Sequence, residues 1–300
     1  MPPKKSPRSL IRKISLLVGI AAGVYVGACF VAAGQYIRPV RLPEGPRPAF
    51  LQDAQIPTGK YAVPAWVSPN LLANPPKMSQ RPVVILVHGM GGSRSDWVEL
   101  ADALMPRAEV IVIATRGQTV SPVEKVGFGG KESEEVIAAA EWAKARTGGP
   151  VIPVGTSMGG AASWLASEKR PDLFAAVVTE GAFARLDWAS DDFLAVKIPF
   201  GAAVFHPVNL MARQMSGIDP DEIRPERAAR AWRGRPALIV HGEADVMFGA
   251  RHAEALRDAS GAPIWWVPGA GHAEVSRKAA PEFADRILQL VRPPKLAGAK

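Results

Sequence analysis

Ser157 stands in Gly155-Thr156-Ser157-Met158-Gly159, between the apolar run Val151-Ile152-Pro153-Val154 and the small-residue stretch Gly160-Ala161-Ala162-Ser163. A short strand, a tight glycine turn and a helix in that order hold a serine in a sharp bend, with its hydroxyl clear of the sheet. The next amide, that of Met158, then points at an oxyanion developing on an attacked carbonyl. A serine hydroxyl is a weak nucleophile at neutral pH and needs a positioned base. His272 meets that need: Ile264-Trp265-Trp266-Val267 ends in Pro268-Gly269-Ala270-Gly271-His272 near the C-terminus, where a loop can reach back over the serine. The base in turn needs an acid to fix its tautomer and stabilise its cation. Asp245 follows Ala237-Leu238-Ile239-Val240 through His241-Gly242-Glu243-Ala244 and precedes His272. Together these residues imply nucleophilic acyl transfer.

A fourth apolar run, Val83-Val84-Ile85-Leu86-Val87, ends in His88-Gly89-Met90-Gly91-Gly92. The chain order serine, acid, histidine differs from those of chymotrypsin-like and subtilisin-like proteases. On these motifs the chain resembles the α/β-hydrolase superfamily, in its serine esterase, lipase and serine-aminopeptidase-like branch, over roughly residues 60–292. The resemblance implies a second oxyanion donor in the Met90 amide. It also supplies an alternative acid, Glu180, because some members carry the acid one strand earlier. His88 reads as a loop-ordering hydrogen bonder, Glu243 as a loop-orienting side chain and His241 as structural, while His206 and His252 sit in no motif. Ala114-Thr115-Arg116-Gly117-Gln118 resembles the family's D-x-R-G-H-G loop, with Thr115 and Gln118 where the acid and histidine usually stand. That departure puts any hydrogen-bond network there in doubt.

The elements that must position these residues alternate in period. Trp97, Leu100, Ala101 and Leu104 share a helical face, with Ser95 or Asp96 as N-cap, and Val110–Ile113 reads as a strand. A helix is expected over about 131–146, a strand over 175–178, and a last helix after Pro281. Short apolar strands alternating with helices imply a mostly parallel central sheet covered on both faces, with sites at the strands' carboxyl ends. Residues 60–67 suit an antiparallel edge. Pro153 is unwelcome inside the elbow strand, because it removes a ladder donor. Between 185 and 232 the alternation breaks into an apolar, proline-interrupted insertion, Phe193 to Phe200 with Val204-Phe205, expected to cap the active site. Gly127-Phe128-Gly129-Gly130 follows no strand and reads as a turn.

The formal charge is +8, and residues 1–43 contribute +7 of it, so the excess marks one terminus and argues against a nucleic-acid groove. One cysteine, Cys29, excludes an internal disulfide and a cysteine-based metal site. No metal constellation, P-loop or dinucleotide fingerprint is present, and no cofactor is expected. Ile14 to Ala33 supplies 20 mostly apolar residues, enough helix to cross a hydrocarbon core about 30 Å thick. An uncleaved anchor is the leading reading, beside a cleaved signal peptide ending at Phe30-Val31-Ala32-Ala33 and a lipoprotein signal ending at Cys29. Five basic residues before the span against three after it place the N-terminus in the cytoplasm and the catalytic domain across the membrane.

The expected organisation is a basic terminus with a transmembrane anchor (1–35), a proline-rich linker (36–60), an α/β-hydrolase domain (61–292) and a tail (293–300). On that division, deleting residues 1–35 leaves the catalytic domain whole. The expected function is a membrane-anchored serine hydrolase cleaving carboxylic esters, or related acyl bonds, of a hydrophobic small-molecule or lipid substrate. A serine peptidase and a non-catalytic scaffold that binds ligands are the alternatives.

Overall fold

The structure, a computed structural model, describes residues 7–38, 41–73, 79–197 and 201–291. Expectations about the basic residues at 4 and 5, about 198–200 and about the tail at 293–300 lie outside the described residues, as does the side chain of His206. Eight strands run β1 (Gln52–Pro57), β2 (Ala62–Val67), β3 (Val83–Val87), β4 (Glu109–Ile113), β5 (Val151–Thr156), β6 (Val177–Glu180), β7 (Ala237–Gly242) and β8 (Ile264–Val267). The helices are α1 (Pro7–Ile37), α2 (Val98–Leu104), α3 (Glu132–Lys144), α4 (Met158–Lys169), α5 (Leu186–Lys197), α6 (Gly201–Ser216), α7 (Pro225–Ala231), α8 (Ala250–Ser260), α9 (Val275–Lys278) and α10 (Ala280–Gln289).

All eight strands form one sheet in the order β1-β2-β4-β3-β5-β6-β7-β8. β1 and β2 pair antiparallel, as does β2 with β4, and every pair from β4 to β8 is parallel. The inner strands are uninterrupted apolar runs because both faces are covered. In β3, Val83, Ile85 and Val87 enter the core beneath α3, α4, α7 and α8, while Val84 and Leu86 enter the core beneath α2 and α10. β3 lies between β4 and β5, so the chain leaves it in opposite directions and a crevice opens at the strands' carboxyl ends.

Pro153 is accommodated where the ladder is incomplete. β5 pairs with β3 from Val151, but its pairing with β6 begins only at Val154. The missing N–H therefore costs one bond at the mouth of the β5–β6 ladder and leaves the elbow's own pairing intact.

Two boundaries differ from the sequence expectation. α7 belongs to the body: Ala228, Ala229 and Trp232 pack in the core beneath the sheet, so the cap reduces to α5, α6 and the turn that follows. The stretch read as a linker is largely built in. Residues 52–57 form the edge strand β1, Leu51 is fully buried, and the Glu44 carboxylate grips Arg94 at 2.9 Å and 2.5 Å beside the Trp66 ring.

α1 is the one helix among the described residues long and apolar enough to cross a membrane. Leu10 to Ala28 is exposed throughout, a length of about 28 Å at the α-helical rise, close to a hydrocarbon core. Its last turns dock on the body. Cys29, Ala33 and Ile37 recur every four residues on one face and are buried against Val208 and Ala212 of α6 and against Val126 and Phe128. The Tyr36 ring packs on Phe128 and Phe193, and the Ile37 carbonyl accepts the Val126 amide at 3.2 Å. A cut after residue 35 falls inside this packed helix, so a soluble form that keeps the fold has to begin before Cys29. Ile37→Ala is expected to lower stability by about 2–4 kcal/mol through the cavity it leaves. Chemical denaturation in detergent checks this, and an unchanged midpoint would mean that α1 does not dock.

Candidate active site

Ser157 has φ 54 and ψ −118, a backbone conformation that side-chain-bearing residues rarely adopt. The turn is possible because its neighbours lack side chains. A Cβ on Gly155 would strike the Gly159 carbonyl, one on Gly159 would strike the Val87 carbonyl, and one on Gly160 would come within 2.7 Å of the Ala182 methyl. Ser157 N–H is held by the Glu180 carbonyl at 2.9 Å. Met158 opens α4, so its amide lies at the positive end of the helix with no partner inside it.

His272 and Asp245 arrive from the other side. His272 Nδ1 lies 2.8 Å from Asp245 Oδ2, and that carboxylate is 1% exposed. Its other oxygen, Oδ1, accepts the amides of Met247 and Phe248 at 2.9 and 3.0 Å. Burial pushes the Asp245 carboxyl up, but the His272 bond and charge and the Phe248 amide outweigh it and hold the group below its ordinary value. The Phe248 ring meets His272 edge-on at 5.0 Å. Gly181, at φ 53, leaves room for the pair: a Cβ there would sit 3.3 Å from both Asp245 Oδ2 and His272 Nδ1. Ser157 and His272 face one cleft of about 260 Å³, which Gly89, Met90, Trp97 and Arg277 also line. Among the described residues no hydrogen bond of normal geometry joins the two side chains, a spacing common before substrate closes a site.

The loop after β3 is ordered from beneath. Thr115 N–H donates to His88 Nε2 at 3.2 Å, which makes Nδ1 the protonated nitrogen that donates to the Gly89 carbonyl at 2.9 Å. Burial keeps this imidazole's pKa low, so it stays neutral. Gln118 supplies the acceptor that the sequence left in doubt: its Oε1 takes the Gly91 amide at 2.7 Å. The Met90 amide makes no hydrogen bond among the described residues, and Met90 lines the same cleft as Ser157.

The remaining candidates sort clearly. Glu180 is 1% exposed, and its carboxylate bonds Thr156, Val275 and Ser276 and does not reach His272. His241 Nε2 donates to the Phe248 carbonyl at 3.0 Å, with burial lowering its pKa, so it shapes the acid's loop. His252, which no motif marked, accepts the Ala184 amide and bonds Asp192 of α5 at 3.0 Å, fastening the cap. Glu243 does not orient the loop: it is exposed, and its carboxylate makes no bond among the described residues. Among the described residues the expected cap does not line the cleft. It packs on Met158, Phe183 and Phe248, with Met90, Met211, Met215 and Met247 at the margin of the same cluster. Among the described residues no cluster suits a metal ion.

Known proteins agree with this architecture. The family described as alpha/beta hydrolase fold matches residues 82–225. A 2-(acetamidomethylene)succinate hydrolase of Mesorhizobium japonicum is 25% identical over 247 residues, spanning 68% of this chain and 88% of its own. The Pyrococcus furiosus esterase Pf2001 superposes with a TM-score of 0.67 at 18% identity, over 85% of this chain and 96% of that one. A membrane phospholipase A described as a bacterial virulence factor superposes at 0.60 and 16% identity, over 95% of this chain and all of that one. The chain has the α/β-hydrolase fold, which it shares with esterases and lipases.

Two outcomes follow from the geometry. Gln118→Ala frees the Gly91 amide and is expected to lower kcat by about tenfold or more while leaving KM near wild type, since a displaced oxyanion donor acts on the transition state. Steady-state kinetics on a chromogenic ester decides it. Because Asp245 is held below its ordinary value, its stabilising contribution is present above the usual carboxylate range and lost as pH falls through the lowered pKa. Asp245→Asn should therefore flatten the acid limb of stability measured by urea denaturation between about pH 5 and 2.

Proposed function

We propose that this chain is a membrane-anchored serine hydrolase that cleaves a carboxylic ester of a hydrophobic acyl substrate through an acyl-enzyme. The observation that carries the reading is the Asp245–His272 bond of 2.8 Å facing the cleft that holds the strained Ser157. In the first half-reaction Ser157 Oγ attacks the carbonyl carbon as His272 Nε2 takes its proton. Asp245 stabilises the imidazolium, and the amides of Met158 and Met90 receive the oxyanion. Collapse expels the alcohol with the proton from His272. Water, deprotonated by the same nitrogen, then attacks the acyl-enzyme, and the acid leaves.

The acyl preference rests on the apolar cluster behind Met158, which reaches the cleft through Met90. Met158, Phe183 and Phe248 pack with four further methionines at its margin, and flexible thioethers adapt to chains of varied shape. The names of the similar esterase and the similar membrane phospholipase A point the same way. The exposed run Leu10 to Ala28 supports anchoring, and the charge bias supports a catalytic domain outside the cytoplasm. A second reading, hydrolysis of a small acidic amide such as the Mesorhizobium enzyme's namesake, is favoured by Arg277 at the cleft.

Ser157→Ala and His272→Ala are each expected to lower kcat by about 10⁴-fold or more, and Asp245→Asn by about 10³–10⁴. Fluorophosphonate labelling of the purified protein should be abolished by Ser157→Ala. Esters of graded acyl length separate the two substrate readings: kcat/KM rising with chain length supports the hydrophobic acyl group. A preference for the acidic amide, lost in Arg277→Ala, would replace it.

A further inference from the structure

Glu180 ends β6, and the triad proposed above leaves it without a role. Its carboxylate joins the two halves of the site. Oε2 accepts the Thr156 hydroxyl at 3.0 Å, one residue before the nucleophile. Oε1 accepts the amides of Val275 at 2.7 Å and Ser276 at 3.4 Å, which open the segment after His272. The backbone of the same residue holds Ser157 N–H at 2.9 Å.

The histidine arm needs such a hold. Ala273, next to His272, sits at φ 58, where a residue with a Cβ is strained. The four-residue α9 that follows is too short to fix its own position by cooperative helix formation. The groups facing the Glu180 side chain, the Thr156 and Ser276 hydroxyls and the Val275 and Ser276 amides, all donate to it, so the form they fit is the carboxylate. Burial pushes this carboxyl above its ordinary value, with the Thr156, Val275 and Ser276 bonds working against that push. A buried anion in such a place is costly unless its bonds are kept, which makes the bracket stiff.

We propose that Glu180 is a positioning residue that fixes the approach of His272 to Ser157 by tying Thr156 and the Val275–Ser276 amides to one carboxylate. It touches neither substrate nor reacting atoms. The proposal rests on Ser157, His272 and Asp245 being the catalytic triad, and its test separates the two claims.

The experiment uses the full chain in detergent micelles with p-nitrophenyl butyrate as probe, and rates are normalised to the sites titrated to completion by a fluorophosphonate. Glu180→Gln keeps the shape but removes the charge and one of the two acceptor oxygens, so the charge-assisted bonds that close the bracket are lost. It should lower kcat by about 10–100-fold with KM within about twofold, since small displacements of reacting groups cost that much. Thr156→Val should cost about 3–10-fold, and the double variant should be no worse than Glu180→Gln, because one bracket is broken once. Wild-type kcat per titrated site in folded Glu180→Gln, or multiplicative losses in the double variant, overturns the bracket and leaves the triad standing. Should Glu180→Gln fail to fold, Thr156→Val decides alone: a kcat at the wild-type level overturns the proposal, and a kcat loss at unchanged KM upholds it. A loss of about 10⁴ in Glu180→Gln beside a near-normal Asp245→Asn makes Glu180 the acid, which overturns the triad reading itself.

Discussion

The structure turns on one close approach, that of the first turn of α4 to the end of β3. Gly159 lies so near the Val87 carbonyl that any Cβ would collide with it, and the His88 carbonyl stands only 2.7 Å from the same point. That contact sets the Ser157 side chain against Gly89, at the start of the loop carrying Met90. It also forces Ser157 into a conformation costing on the order of 1–3 kcal/mol. The cost is tolerated because the surroundings over-determine the turn. β5 is buried along its whole length between β3 and β6, and α4 is buried through most of its own. A serine placed in this way loses little entropy when it reacts, since packing has already fixed its backbone.

Around that junction, loops are held by carboxylates that accept backbone amides. Asp245 takes Met247 and Phe248, and Glu180 takes Val275 and Ser276. Glu274 takes Gly271, and Asp96 takes Ser93. Glu132 takes Gly127 and Gly129, fixing the turn that packs against α4. Charge-assisted bonds to amides are short and directional, so each carboxylate fixes a loop that no strand could reach. Glu135 shows the cost of crowding them. Burial first, and then the neighbouring Glu132, push its carboxyl up to about 7, against the pull of Tyr61 and Arg116. Arg116 and Tyr61 close that cluster over the loop that also presents Gln118 to Gly91.

What the sequence disclosed follows from which constraints are local. Ser157, Asp245 and His272 could be picked out as candidates because each follows closely on a strand, and strands buried on both faces are plain apolar runs. Glu180 was visible as a residue type, but its Val275 and Ser276 partners lie 95 and 96 positions away in the chain, beyond any spacing rule. Gln118 was hidden because a different side chain does the ordering expected of the family's loop. The α7 segment passed for cap because a short alanine-rich helix leaves little periodic signal, and only its packing beneath the sheet assigns it to the body. Cys29, Ala33 and Ile37 were invisible as a docking face, since in an all-apolar helix every face looks alike.

That docking face sets how α1 would act if it served as an anchor. A flexible tether would let the catalytic domain tumble at the membrane and present its cleft in any direction. α1 instead runs unbroken from Pro7 into the packed cluster, and its last turns meet α6 of the cap and the 126–128 loop. The same cluster includes Met158, one residue from the nucleophile, and Phe248, whose amide holds Asp245 and whose ring touches His272. Side chains packed at crystal-like density do not deform independently. If α1 spans the bilayer, its tilt is therefore transmitted to the cap and to the apolar cluster behind Met158 through direct contacts. The strap at Glu44 and Arg94 adds a second rigid point, on the residues that follow the His88–Gly92 loop. With two attachments in place of one hinge, the cleft keeps a single orientation relative to the helix axis. The helix thus packs into the same apolar cluster as Met158 and Phe248.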